Sequence, residues 1–213
     1  MSESAIAAAI NLGLARTAQA LGSLHAWYRP QGAGPVIEPG NLCGRVMAYV
    51  SSTANLMPQS PAWGKADRFG AFDAAGFLAG DYLVARETYF LTEIVPLASS
   101  LRLALCNEVF TWSQVQRTAA GPGNRAGALV AVPQATGWPG WLQTSERRTV
   151  PDMHLPGTVD QPNAQLLLPA SFPGQIMRGD QLTTSATQPA TWTVQSAVLS
   201  ASGWQVTAIR AGA

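Results

Sequence analysis

Apolar residues recur at helical spacing in one stretch, near the start of the chain. These residues are Ile6, Ile10, Leu14, Leu21 and Leu24. They are three or four positions apart if Thr17, which is only weakly apolar, is counted between Leu14 and Leu21. This is the rhythm of one helical face. Ser4 is a suitable N-cap and Gly22 a suitable residue to follow the C-terminus. We predict a helix over residues 4–22, which its many alanines make slim enough to pack closely against a sheet or a neighbouring subunit.

The strongest strand pattern is a hairpin over residues 79–96. Gly80-Asp81 leads into a short strand, residues 85–87 form a polar turn, and Pro96 ends the second strand. An echo follows 99 positions later, where Gly179-Asp180 opens the same order of Gly-Asp-x-Leu, turn, Thr-aromatic and β-rich strand. The repeat predicts two β-modules that share a hairpin topology.

Further short strands complete each module. We place strands at 101–106 and 109–116, joined by a tight turn at Asn107-Glu108. In the second module we place them at 165–168, 176–184, 191–199 and 204–209. The predicted fold class is mainly β with an N-terminal α-helix (α+β), with two small antiparallel β-sandwich or barrel-like modules joined by long loops. The predicted organisation is an N-terminal helix (1–28), irregular interaction loops (29–70), a first β-module (71–116), an extended linker (117–163) and a second β-module (164–213).

The two predicted long loops are punctuated by Pro and Gly. Residues 45–50 and 128–132 are candidate short strands inside them. Loops of this length in a compact domain are often functional or interaction loops. The linker carries Trp138 and Trp141, and two interpretations stay open: an arm that drapes over a partner, or a surface loop whose tryptophans fill the chain's own core. We favour the second, because exposed tryptophan lowers solubility.

The chain is poor in charge. Charged residues are 12% of 213, about half the usual ~25%, which fits either a surface largely buried in an assembly or the neutral polar surface of a secreted β-protein. The net charge is +1 and Lys65 is the only lysine. No basic footprint of a dedicated nucleic-acid binder is present, although contact with DNA as the lining of a channel stays open.

Compartment and redox state follow from the N-terminus and the cysteines. We find no signal peptide and no apolar run of the ~20 residues that span a bilayer. We therefore expect a chain that is made in the cytoplasm and stays there or leaves the cell by lysis. Cys43 and Cys106 are too few for a disulfide framework or a zinc site. We expect buried free thiols, and a single disulfide between them stays open.

No constellation of catalytic or metal-binding residues stands out. His25 and His154 lie far apart without a carboxylate cluster, and His25 is better explained by packing beside Trp27 and Tyr28. No Gly-x-Ser-x-Gly string occurs, and the glycines of residues 121–127 miss dinucleotide-binding spacing. We therefore predict no catalytic, cofactor-binding or metal site, no cofactor, and a protein that is not an enzyme.

The acidic residues are few and scattered. They are exemplified by Asp67, Asp73, Asp81, Asp160 and Asp180. A mechanism based on paired carboxylates has no support from this pattern. Because Asp81 and Asp180 each follow a glycine at the start of a strand, we interpret them as turn residues that bond nearby backbone N–H groups. Arg178-Gly179-Asp180 matches a short cell-adhesion tripeptide. We interpret it instead as part of the repeated Gly-Asp turn.

An ordered set of short motifs carries a resemblance across nearly the whole chain. After the Ala-rich helix come WYRP (27–30), GDYLV (80–84), TYFLTEIVPL (88–97), LALCN (103–107), GWPGWLQ (137–143), LLLP (166–169), RGDQLTT (178–184) and SGWQVTA (202–208). The set resembles a family of small virion structural proteins of tailed bacteriophages, placed at the head–tail junction or in a short tail. One departure is the turn at 185–190, which lacks an acidic, Gly-containing DD-x-G hairpin.

The resemblance implies a non-enzymatic subunit of a bacteriophage virion, assembled in the bacterial cytoplasm. It would form a homo-oligomeric ring at the head–tail connector or in the tail, as an adaptor or tail-tube component that couples portal to tail for DNA passage. Its partners would be copies of itself, the portal protein and other tail proteins, with non-specific DNA contact in the channel and no membrane. Two alternatives stay open: a tail hub or baseplate component, and a small β-rich binding module or hydrolase.

Overall fold

The computed structural model of the chain describes residues 3–52, 66–94, 101–117, 127–145 and 162–211. In these ranges the regular structure is one α-helix, α1 (Glu3–Leu21), a short 3-10 helix (Pro39–Asn41) and twelve strands. The strands are β1 (Ser23–Tyr28), β2 (Leu42–Ser51), β3 (Asp67–Ala71), β4 (Tyr82–Val84), β5 (Thr88–Glu93), β6 (Leu101–Cys106), β7 (Glu108–Arg117), β8 (Leu129–Ser145), β9 (Asn163–Leu168), β10 (Gln181–Thr184), β11 (Thr191–Ser200) and β12 (Gly203–Arg210). The predicted fold class, mainly β with one N-terminal helix, is confirmed.

The helix ends where the chain turns into β1. The Gly22 N–H donates to the Ala18 carbonyl at 2.8 Å, and a Cβ at Gly22 would lie 2.6 Å from the Ala48 carbonyl oxygen. A larger residue there would therefore displace β2. The predicted apolar stripe is only partly correct, because Ile10, Leu14 and Ala18 pack on the barrel while the stripe's ends are exposed. The helix is longer than the face of β2 and β3 that it covers.

Strands β1 to β6 close into an antiparallel barrel, which we call barrel 1. The hydrogen-bonded order is β1-β2-β3-β6-β5-β4, and β4 closes on β1 through the pairs from Ala26–Val84 to Tyr28–Tyr82. Strands β7 to β12 close into barrel 2 in the order β7-β8-β9-β12-β11-β10, with β10 returning to β7. Matching β1–β6 with β7–β12 gives the same order and the same hairpins, which confirms the predicted shared topology.

The predicted module boundaries need correction. Barrel 1 begins at Ser23 and barrel 2 begins at Glu108, so the predicted irregular loop 29–70 contains β2, and the predicted linker 117–163 contains the long strand β8. The predicted first module also ran too far, since β7 belongs to barrel 2.

A single residue, Asn107, connects the last strand of barrel 1 to the first strand of barrel 2. The sequence predicted a tight turn joining two paired strands here, but β6 pairs with β5 and β3, whereas β7 pairs with β8 and β10. The Asn107 side chain accepts from the Leu142 N–H at 2.7 Å and donates to the Leu142 carbonyl at 2.8 Å. The Asn107 side-chain amide thus pairs with both backbone groups of Leu142, as a residue of a neighbouring strand would. The chain therefore crosses between the barrels without forming a turn.

The start of β8 was predicted as the candidate strand 128–132, and proline and glycine further along explain why the rest of the strand was not. Pro139 lies in the strand where its carbonyl accepts the Tyr82 hydroxyl at 2.8 Å, and Gly140 lies where a Cβ would be 2.6 Å from Leu168 Cδ2. Such residues mark bends and close backbone approaches in sheets. Trp138 and Trp141 in the same strand are buried, which confirms that they fill the protein's own core.

The two barrels share one apolar interface. On β4, β5 and β6 the paired residues Tyr82, Phe90 and Ala104 are fully buried in the cluster that also fills barrel 2. Their neighbours Leu83 and Leu103 belong to the cluster inside barrel 1. Because successive side chains on a strand point to opposite faces, these strands are buried on both sides and fix barrel 1 against barrel 2.

The helix and barrel 1 occupy corresponding places in the repeat. Helix α1 lies on β2 and β3 of barrel 1, and barrel 1 lies through β6 on β8, the counterpart of β2. Each β2-like strand thus contacts an element outside its own barrel, a helix in one case and a barrel in the other.

Candidate functional site

Among the described residues, those singled out in the sequence are not gathered into a metal site. His154 and most of the 121–127 glycine loop lie outside the described residues. His25 is buried in barrel 1, and its Nδ1 is 2.9 Å from the Ser23 carbonyl. Within the described ranges, no group of three or more His, Cys, Asp or Glu side chains is placed to hold a metal ion.

The two cysteines are free and differ in exposure. Cys106 is partly buried on β6, and burial raises the pKa of its thiol. Cys43 on β2 is exposed, which corrects the expectation of a buried thiol. Side chains of β2 alternate between the two faces of the barrel wall, and Cys43 lies on an exposed one.

Asp81 is the centre of a buried polar network in barrel 1. Its carboxylate accepts the Trp27 indole N–H at 2.9 Å and the Leu78 backbone N–H at 2.9 Å. Arg29 donates to the same carboxylate through Nε at 2.9 Å and through a terminal nitrogen at 2.7 Å. The hydrogen bond to Asp81 raises the pKa of Arg29, opposed in part by desolvation. The predicted turn role of Asp81 is confirmed, and it extends to joining β1 to the β4 entry.

Asp180 repeats this network in barrel 2. Its carboxylate accepts the Trp112 indole N–H at 2.9 Å and the Met177 backbone N–H at 2.9 Å. The backbone around the two aspartates also matches, since the glycine before each has positive φ, +90° at Gly80 and +94° at Gly179. The tryptophans were not predicted as partners, because their separations along the chain from the aspartates differ in the two modules. Each instead occupies the same position on the first strand of its barrel.

The two networks differ in one residue. Arg29 stands two positions after Trp27, and the corresponding position after Trp112 is Gln114. Asp180 therefore has the indole and the backbone donor but lacks the guanidinium that pairs with Asp81. This is a structural difference that leaves the turn itself unchanged.

A cavity of about 290 Å³ opens at one end of barrel 1. It lies between the C-terminus of α1, the start of β1, the C-terminal end of β2 and the β4–β5 turn. Its lining residues are Leu21, Gly22, Ser23, His25, Ala48, Tyr49, Val50, Ala85, Arg86, Glu87 and Tyr89. Mouths of barrels with a few convergent polar groups are common ligand sites, so this is the candidate functional site of the described chain.

The polar groups of the cavity are mostly hydrogen-bond acceptors. The Tyr89 hydroxyl donates to the Glu87 carboxylate, and burial, followed by this bond, raises the pKa of Tyr89, so the phenol keeps its proton. His25 Nδ1 faces a carbonyl, which can only accept, so the proton lies on Nδ1 and Nε2 is left as an acceptor in the neutral ring. The lining also holds donors: the exposed guanidinium of Arg86, and the hydroxyls of Ser23 and Tyr49, which can donate as well as accept.

The same end of barrel 2 is filled by aromatic side chains. Through the strand pairing, His25 corresponds to Phe110 and Tyr89 to Trp192. Phe110, Trp192 and the neighbouring Trp138 are buried in a single apolar cluster. The repeat thus offers an internal comparison: one barrel closes this end with apolar rings, and the other places a histidine, a tyrosine and an open space there.

Comparison of the chain with protein-family models, with curated proteins and with solved structures finds no match. Among the described residues, no helix has the length and apolar character needed to cross a membrane.

Proposed function

We propose that the chain is a structural subunit of a bacteriophage particle that forms a ring at the head–tail connector or in the tail and helps couple portal to tail for DNA passage. In this proposal the subunit is not an enzyme, and its partners are copies of itself, the portal protein and other tail proteins. The bacteriophage setting rests on the ordered motifs of the sequence. The part that concerns assembly rests on a feature of barrel 2.

The observation that carries the assembly proposal is a projecting two-stranded arm, residues 114–117 of β7 and 129–132 of β8. Its pairs run from Gln114–Val132 to Arg117–Leu129. Barrel strand β10 reaches β7 only as far as Ser113, and β9 joins β8 only from Trp141. Within the described residues, the two arm strands therefore pair only with each other.

The β8 strand of the arm presents an apolar edge, whereas the β7 strand carries Gln114, Gln116 and the exposed Arg117. Leu129 is 65% exposed, and Val130 and Val132 are also exposed. A two-stranded ribbon is at best marginally stable alone in water, and an exposed apolar edge without lysine or proline is a template for pairing with another chain. An arm of this kind favours a subunit that pairs it with a different surface of a neighbour, which is the heterologous type of contact from which closed rings are built.

The mass of the purified protein in solution tests the ring. We expect a single closed oligomer by native mass spectrometry and sedimentation velocity, and we expect Val130→Lys/Val132→Lys to shift it toward monomer because lysines block edge pairing. The matched control is Val198→Lys/Leu199→Lys, which places the same charges on two exposed apolar residues of the β11–β12 hairpin. A wild-type protein that stays monomeric at all concentrations, or equal effects of both variants, would contradict the proposed role of the arm.

The particle assignment needs a separate measurement. We expect the chain to be present in purified virions at a stoichiometry that is a whole ring, and to co-purify with the portal. A stoichiometry of only a few copies at the distal end of the tail would instead favour the tail hub or baseplate alternative. The binding-module alternative is favoured by one observation, the open end of barrel 1, which has chemistry of its own.

A further inference from the structure

The open end of barrel 1 differs from its counterpart in a way that packing alone does not require. Barrel 2 closes the same end with Phe110 and Trp192, so the fold accepts large apolar rings at these two positions. Barrel 1 has His25 and Tyr89 instead, beside a cavity of about 290 Å³. His25 Nδ1 is bonded to the Ser23 carbonyl and the Tyr89 hydroxyl to Glu87. The acceptor capacity that these side chains keep borders an open space, where a ligand can use it.

The hydrogen-bonding capacity of the cavity indicates what that ligand carries. The Tyr89 proton is committed to Glu87, which leaves the phenol oxygen as an acceptor. His25 Nε2 is an acceptor, and the Glu87 carboxylate has oxygen lone pairs to spare. Helix α1 ends at Leu21 on the cavity wall, and a helix C-terminus carries a partial negative charge. The interior therefore accepts hydrogen bonds and favours positive charge.

The apolar part of the lining indicates the rest of the ligand. Leu21, Ala48 and Val50 border the cavity together with the acceptors. The volume suits a group the size of one long side chain and is at the lower limit for small-molecule sites. Arg86 lies on the exposed rim beside Glu87 and has no carboxylate within salt-bridge distance among the described residues.

We propose that this cavity binds an ammonium or guanidinium group on a short apolar stem, with Glu87, Tyr89 and His25 as the acceptors. The inference is independent of the ring proposed above. The cationic group can come from a free small amine or from a Lys or Arg side chain of a second copy of the chain. Both sources present the same chemistry to the site, and separate measurements distinguish them.

The chemistry is tested with two probes that share a stem and differ in charge, n-butylguanidinium and butyrate, by two-dimensional NMR titration of the purified chain. We expect n-butylguanidinium to shift the resonances of residues 22–25 and 85–89, and butyrate to leave them unchanged. Glu87→Gln should weaken the binding on the order of tenfold, since a charge-assisted hydrogen bond is lost. Arg86→Gln should not weaken it, because it removes a like charge from the rim.

The variant His25→Phe/Tyr89→Trp gives the site the residues of barrel 2 and should abolish binding. Because this variant changes the core, Glu87→Gln serves as the second test, since Glu87 is exposed and its change leaves the core intact. Binding of butyrate that is lost in Arg86→Gln and kept in Glu87→Gln would overturn the proposal, as would full n-butylguanidinium affinity in a folded His25→Phe/Tyr89→Trp variant.

The source of the cation is then read from two further measurements. If a second copy supplies it, Glu87→Gln and saturating n-butylguanidinium both lower the sedimentation coefficient of the assembled protein. If a free amine supplies it, native mass spectrometry of protein purified at low ionic strength finds a bound amine that is missing from the His25→Phe/Tyr89→Trp variant, and the sedimentation coefficient does not change.

Discussion

Asp81 and Asp180, 99 positions apart in the chain, accept an indole N–H at the same distance, 2.9 Å, in the two barrels. Each also accepts the backbone N–H three residues before it. The carboxylate thus closes the tight turn before the fourth strand of its barrel and ties that turn to the first strand. Since β1 and β4 are the strands that close barrel 1, the bond lies at the point where the barrel is completed.

Replacing either aspartate with asparagine should destabilise the protein by different amounts. Asp81→Asn leaves the guanidinium of Arg29 without its partner, so we expect a loss of about 2–3 kcal/mol, whereas Asp180→Asn loses only part of two hydrogen bonds and should cost about 1 kcal/mol. Urea unfolding followed by tryptophan fluorescence measures both. Equal losses would mean that the Arg29–Asp81 pair contributes nothing to stability.

Gln114→Arg should supply the cation that barrel 2 lacks. Gln114 follows Trp112, the indole that bonds Asp180, by two positions, just as Arg29 follows Trp27. We expect a gain of up to about 1 kcal/mol, because the corresponding arginine in barrel 1 is 32% exposed and partly solvated pairs are worth little.

The double variant Gln114→Arg/Asp180→Asn is the control for this design. It keeps the arginine and removes the carboxylate, so the gain should disappear. A stabilisation that persists without Asp180 would show that the arginine acts through other contacts.

The repeat was visible in the sequence because turn chemistry is local. Gly80-Asp81 and Gly179-Asp180 need positive φ at the glycine and a short acceptor after it, and such requirements leave a fixed signature. The pairing of β7 was not visible, because a strand's partner is decided by packing far along the chain. Asn107 alone connects the two barrels. The sequence Asn107-Glu108 is equally typical of a hairpin turn, so the sequence does not distinguish the two cases.

The candidate site was less predictable than the fold. His25 is buried, as its expected packing role implies, yet its place beside Tyr89 depends on the closure of β1 on β4. The difference between the two barrel ends becomes clear only when His25 is compared with Phe110 and Tyr89 with Trp192. That comparison needs the strand register, which the sequence did not reveal. Single residues such as Glu87, in a turn, carry no periodic pattern that would have identified them.

Tyr82 of barrel 1 donates a hydrogen bond to Pro139 of barrel 2. We expect the free energy of unfolding to fall at high pH because of this tyrosine. Burial raises the pKa of Tyr82 far above its usual value of about 10. The protonated phenol therefore stabilises the folded state fully below pH 10, and this contribution is lost as the pH rises above 10, where the unfolded chain ionises first. Tyr82→Phe should cost about 1–2 kcal/mol at pH 8, because the Pro139 carbonyl is left unpaired.

The comparison between the two proteins isolates Tyr82 from other ionising groups. By pH 11 the wild-type protein should have lost about 1.4 kcal/mol through Tyr82 alone, so the difference between wild type and Tyr82→Phe should shrink by that amount. Urea midpoints measured from pH 8 to pH 11 provide the test. A difference that stays constant over this range would show that Tyr82 ionises with equal ease in both states.

The two faces of helix α1 should have separable roles. Leu14 is buried against barrel 1, whereas Leu12, on the opposite side, is 53% exposed. Leu14→Ala should destabilise the chain by about 2–4 kcal/mol, because it removes buried methyl groups and leaves a cavity. Leu12→Gln should leave the urea midpoint unchanged, because the Leu12 side chain is exposed and does not belong to the core.

The proposed ring predicts that Leu12→Gln nevertheless has an effect. In the N-terminal half of α1 the outward face is apolar and narrow, formed by Leu12 and the neighbouring alanines at 5, 8 and 9, so a neighbouring subunit could pack closely on it. We expect Leu12→Gln to weaken self-association measured by sedimentation velocity, and Leu14→Ala to do so only to the extent that it unfolds the protein. If Leu12→Gln assembles as the wild type does, the helix serves only to cover β2 and β3, and the contacts of the ring lie elsewhere, with the arm of β7 and β8 as the remaining candidate.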